Sequence, residues 1–145
     1  MEIYLDTSLL AKIYVPEEDA AERTEFLKEY NRAIEINFLQ ETELKNAFSL
    51  KFFRKEISLS ELNYLTKKVG ADIESGALIR VNVTWSLIFA EACNLSNKFT
   101  GKIGCRTMDI LHVAAAYVNE AQYILTGDLR QKKLAEKIGL KTYWD

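Results

Sequence analysis

Histidine occurs once, cysteine twice and proline once in a chain of 145 residues. Cys93 and Cys105 form neither a Cys-x-x-Cys nor a Cys/His cluster, which excludes a disulfide framework and a thiolate metal site and predicts two free thiols in a reducing cytosol. No apolar run approaches the roughly 20 residues that a bilayer-spanning helix needs. The opening Met1-Glu2-Ile3-Tyr4-Leu5-Asp6 has no basic segment followed by an apolar run, so a soluble, cytoplasmic protein without a membrane partner is expected. One proline and six glycines leave no linker and predict a single domain over 1–145. An excess of one charge is missing too: 19 Lys+Arg against 21 Asp+Glu give a net charge of −2, so nucleic acid must be met by local patches. What is present, 48% hydrophobic and 28% charged residues, is the balance of a compact folded chain.

Short β-branched runs alternate with helical spacing. Ile3-Tyr4-Leu5 reads as a strand ending at Asp6, and Thr7 to Tyr14 as a helix stopped by Val15-Pro16, because proline disfavours helical geometry in its predecessor. Glu17 to Tyr30 has helical spacing, and Ala33 to Ile36 reads as a second strand. Phe38 to Arg54 is a long helix with two apolar arcs, Leu39/Ala47/Leu50 and Leu44/Phe48/Phe52, which predicts burial on more than one side. Ser58 caps a helix that runs to Glu74 and ends at Ser75-Gly76, forming a helical hairpin with the one before. Leu78 to Val83 reads as a strand, Thr84 as the cap of the next helix, Ser96 to Arg106 as a loop, and Thr107 as the cap of a helix over Met108 to Asn119. Tyr123 to Thr126, Leu129 to Ile138 and Lys141 to Tyr143 complete the order as strand, helix, strand. Such alternation predicts an α/β fold with a parallel sheet covered on both faces and a ligand site beyond the C-terminal ends of its strands.

Four acids draw attention at that edge: Asp6, Glu43, Asp109 and Asp128. Asp6 and Asp128 each end an apolar strand and precede a helix, so either alone is explained by capping. Together they are two like charges at neighbouring turns, a costly arrangement unless a cation lies between them. Asp109 stands near the start of a helix apolar almost all round, where a carboxylate needs a compensating partner. Glu43 shares the Leu39 arc, whereas Glu41 has Lys45 one turn on as an ion-pair partner. His112, one turn after Asp109, is expected to be a satisfied core residue that supports the site at most. Oxygen ligation by several acids suits Mg²⁺ or Mn²⁺ and disfavours zinc. A hard dication at such a set activates water against a phosphodiester, so the protein need not supply a nucleophile.

The opening Ile3-Tyr4-Leu5-Asp6-Thr7-Ser8, the segment Asp109-Ile110-Leu111-His112-Val113-Ala114-Ala115-Ala116 and the turn Leu125-Thr126-Gly127-Asp128 followed by Ala135-Glu136-Lys137-Ile138-Gly139-Leu140 resemble the PIN-domain ribonucleases, especially VapC-like toxins of toxin–antitoxin pairs. The resemblance covers the chain in order. It implies that Asp6, Glu43, Asp109 and Asp128 are the catalytic acids and hold Mg²⁺ or Mn²⁺, with Thr7 and Thr126 lining the site. It further implies a three-layer α/β/α fold around a five-stranded parallel sheet, an endoribonuclease that cuts RNA, a homodimer and a cognate antitoxin partner. Asn37-Phe38-Leu39-Gln40 departs from the family pattern, which often has a small hydroxyl residue there.

Among the basic residues near these turns, Lys12, Lys51, Arg54, Lys55, Lys132 and Lys133 are candidates for an RNA path, and Arg106 and Arg130 are the best placed. Two other readings remain open. One is a non-catalytic PIN-like domain that binds RNA or a protein. The other is an Asp-dependent phosphatase, which is disfavoured because Ser8 stands where its second aspartate belongs.

Overall fold

The computed structural model describes residues 2–17, 25, 29, 30 and 32–142. In chain order they form β1 (Ile3–Leu5), α1 (Thr7–Tyr14), β2 (Ile34–Ile36), α2 (Phe38–Phe53), α3 (Leu59–Ser75), β3 (Leu78–Arg80), α4 (Trp85–Leu95), α5 (Thr107–Val118), β4 (Tyr123–Leu125), α6 (Leu129–Lys137) and β5 (Lys141–Thr142). The helix expected over Glu17 to Tyr30 lies mostly outside the described residues, as does Tyr143 of the last expected strand. No helix among those described is long and apolar enough to cross a membrane. Cys93 and Cys105 are both free thiols.

Contacts within the chain define two compact units, the residues up to Asp6 together with those from Asn82 onward, and Thr7–Val81. The first unit carries a parallel sheet in the order β1-β4-β5, with Leu5 opposite Leu125 and Tyr123 opposite Lys141. Its strands are short and β-branched or aromatic, and Tyr4, Leu5, Ile124 and Leu125 are buried. Helix α5 is buried from Asp109 through Ala116, as an element apolar almost all round requires. Three consecutive alanines let it lie close to its neighbours, and α4 packs against it through Ile88, Ala92 and Leu95.

In the second unit, β2 and β3 pair in parallel, Ile36 opposite Arg80, and the Val81 amide extends the ladder by donating to the Ile36 carbonyl at 2.9 Å. Helix α2 packs against α1 and α3. Leu44 and Phe48 on α2 are fully buried, each contributing about 1.5 to 3 kcal/mol by removal from water. Tyr14 meets the Phe48 ring edge-on, and its hydroxyl donates to Asp72 of α3 at 2.6 Å. Burial and then the Asp72 carboxylate push that hydroxyl's pKa well above the ordinary phenol value.

Several expectations are corrected. The five strands do not form one sheet: they divide into a three-stranded and a two-stranded one. Apolar alternation counts strands but does not say which ladder each will join, and strands of two or three residues carry little to specify a partner. Helix α2 is buried along the Gln40/Glu41/Leu44/Phe48 face alone, since Leu50 and Phe52 are exposed. The segment Ser96 to Arg106 is helical over most of its length, with a π-helical turn over Ser96–Thr100 and a short helical turn over Gly101–Ile103. Leu95, Phe99 and Ile103 supply a four-residue apolar repeat that the polar composition hides, and Gly104, at φ 77°, ends it. Thr84 occupies an N-cap without a side-chain bond, and Thr107 is the first residue of α5, with Arg106 at the cap.

Candidate active site

The register of the larger sheet creates the site in the first unit. Leu5 and Leu125 are partners, and the Asp6 amide donates to the Leu125 carbonyl at 2.9 Å, so the residues that follow the two strands emerge side by side. Thr126 donates its hydroxyl to Asp6 Oδ2 at 3.3 Å and accepts from the Asp128 amide at 3.0 Å. Asp128 in turn caps α6, its Oδ1 accepting from the amides of Arg130 at 2.8 Å and Gln131 at 3.1 Å.

Asp109 enters from α5. Its Oδ2 accepts from the Arg106 amide at 3.0 Å, which satisfies one open donor of the helix N-terminus. Its Oδ1 accepts from Gln131 Nε2 at 3.3 Å, and the same nitrogen donates to Asp6 Oδ1 at 3.3 Å. Two carboxylates, 5% and 9% exposed, therefore share one neutral amide donor. Cys105 senses the same charges: burial raises its thiol pKa, the fields of Asp109 and Asp128 raise it further, and Arg130 opposes them.

The structure thus brings Asp6 and Asp109 together and ties Asp128 to them through Thr126 and Gln131. Among the described residues no three His, Cys, Asp or Glu side chains group closely enough to hold a metal ion. The donor chemistry still fits a hard dication, because Mg²⁺ and Mn²⁺ bind through one or two carboxylates and keep several waters.

Glu41 and Glu43 are separated by their partners in the second unit. Glu41 is buried and takes a bidentate bond from Arg80, at 2.8 and 2.7 Å, and a third from Lys45 at 2.8 Å. The Arg80 hydrogen bond and then Lys45 lower its pKa to about 2 against the opposing effect of burial. Glu41 is committed to structure. Glu43 is half-buried and accepts from the Thr7 hydroxyl at 3.1 Å. The Asn37 to Gln40 segment that departs from the family pattern forms a buried capping box at the start of α2, each residue's side chain bonding the other's amide at 3.0 and 2.8 Å.

His112 is 1% exposed, with Nδ1 2.7 Å from the Tyr4 hydroxyl, which is the position of a satisfied core histidine. Arg106, Arg130, Arg54 and Lys55 are exposed. Lys12 lies 3.6 Å from Glu17, and Lys51 lies 3.3 Å from Glu17 and 3.5 Å from Glu56, so these two lysines have protein partners.

Gln131 is the residue that sequence reasoning missed. Its signal was available: Gln131, Leu134, Ala135 and Ile138 fall on one helical face, and a glutamine on the buried side of a mostly polar helix implies a polar partner in the interior. Compared with known proteins, the chain matches no protein-family model and no curated protein sequence.

Proposed function

We propose that this chain is a Mg²⁺- or Mn²⁺-dependent endoribonuclease of the PIN-domain kind, acting as the toxin of a toxin–antitoxin pair. The observation that carries the reading is the meeting of Asp6 and Asp109 around one amide at the C-terminal edge of a parallel sheet. These two carboxylates would hold the ion, with Asp128 assigned to the same set through Thr126. Glu43 is assigned as the fourth acid on the resemblance alone, in preference to Glu41, whose carboxylate is engaged by Arg80 and Lys45.

A bound ion would lower the pKa of a water so that hydroxide is available to attack phosphorus, and would supply positive charge for the departing oxygen. Thr126 donates to the Asp6 carboxylate and so orients it, and the Asp128 cap holds the first turn of α6, which carries Gln131. Arg106 and Arg130, at the starts of α5 and α6, would meet RNA phosphates. A homodimer and an antitoxin that covers the acids belong to the same proposal.

A second reading, a non-catalytic PIN-like domain that binds RNA or protein, is favoured by the use of the Asp128 carboxylate as a helix cap. Cleavage of end-labelled RNA in Mn²⁺ by the wild type and by Asp109→Asn separates the two. The nuclease reading expects cutting by the wild type and a loss on the order of 100-fold or more in the folded variant. Equal cutting by both proteins, or none by either, would contradict it.

A further inference from the structure

We propose that Gln131 is itself a ligand of the dication, presenting its side-chain carbonyl oxygen after a half-turn of the amide. The inference rests on the metal-dependent reading above and names an additional residue of that site. Gln131 is 4% exposed, and among the described residues its Oε1 is the one buried side-chain polar atom without a hydrogen-bond partner. An orphaned acceptor in a packed interior is costly, and native structures retain few of them. This one is attached to the same amide whose nitrogen stands between the Asp6 and Asp109 carboxylates.

The amide nitrogen here takes the place of positive charge. Its two donated bonds hold the Asp6 and Asp109 carboxylates to one group, as a shared cation would. The terminal torsion of glutamine is soft and roughly two-fold, so rotation exchanges nitrogen and oxygen at little cost in strain. Without metal the rotated form would set a carbonyl against two carboxylates and is unfavourable. With a dication it adds a neutral hard oxygen to two charged ones, a set that Mg²⁺ and Mn²⁺ accept. Among the described residues no third His, Cys, Asp or Glu groups with the pair closely enough to hold an ion, and a neutral oxygen from Gln131 would add a donor there.

The backbone of Gln131 is held for the task. Asp128 Oδ1 accepts from its amide at 3.1 Å, and Leu134 and Ala135 bury the same face of α6.

Calorimetric titration of the metal-free protein with Mn²⁺, on wild type, Gln131→Leu and Gln131→Glu, tests the assignment. The expected result is binding by the wild type, affinity weakened about tenfold or more in Gln131→Leu, and affinity equal to or tighter than wild type in Gln131→Glu. Wild-type binding with a Gln131→Leu affinity unchanged or improved would overturn the role of Gln131 and leave the nuclease reading standing, since the amide would then only relieve repulsion between the aspartates. If Gln131→Leu does not fold, a Gln131→Glu affinity weaker than wild type overturns the assignment. Absence of Mn²⁺ binding by the wild type overturns the parent reading.

Discussion

Glu41 and Glu43 stand two positions apart on one helix and differ in what they can still do. The guanidinium of Arg80 holds Glu41 ionised down to about pH 2, against an ordinary value of 4.5. A carboxylate depressed on folding stabilises the native state fully above its unfolded pKa and loses that contribution as pH falls toward the folded one. Glu41→Gln is therefore expected to cost roughly 1 to 3 kcal/mol at neutral pH, and its deficit relative to wild type should shrink as pH falls from 4.5 toward 2. Urea denaturation of both proteins at several pH values checks this, and a constant deficit would refute the account of Glu41. Tyr4→Phe removes the hydroxyl that meets His112 and should lower stability by roughly 1 to 2 kcal/mol while leaving Mn²⁺ affinity unchanged. A change in metal affinity would mean that His112 is more than core. At this scale the burial of His112, the cap that Asp128 forms and the Lys45 partner of Glu41 were readable in the sequence, because each follows from local spacing. Arg80 and Gln131 were not readable as partners, since 39 residues separate Arg80 from Glu41 and 125 separate Gln131 from Asp6.

The start of α3 is legible in the sequence through its cap, Ser58, whereas the Asn37 box at the start of α2 is not among the sequence expectations. Ser58 and Glu61 exchange bonds at 3.1 and 3.3 Å at the exposed start of α3, and Asn37 and Gln40 do the same at the buried start of α2. The two boxes should differ in strength. Ser58→Ala is expected to cost about 1 kcal/mol, and Asn37→Ala about 2 kcal/mol, because the latter also strands buried amide groups. Thermal and urea unfolding measure both, and equal costs would show that burial of the Asn37 box adds nothing. Caps read from residue type alone, Thr84 and Thr107, were less secure, since a threonine before a helix has other places to put its hydroxyl. The helical segment after α4 escaped notice because its apolar repeat is only three residues long amid polar ones.

For the whole molecule, alternating strands and helices gave away the α/β class and the parallel pairing, whereas the division into two sheets depends on pairing across long stretches of chain. Electrostatics also acts at this scale. If the chain acts on RNA as proposed, a net charge of −2 leaves that binding to local patches, so replacing both Arg106 and Arg130 with alanine should weaken binding to any RNA sequence and reduce the slope of log affinity against log salt by roughly one to two. Fluorescence anisotropy over a salt series measures this, and an unchanged slope would remove both arginines from the RNA path. The central claim is that Asp6 and Asp109 share a dication. Anomalous diffraction from crystals grown with Mn²⁺ tests it most directly: the account predicts a peak within bonding distance of both carboxylates, and a well-ordered site with no peak there would contradict it.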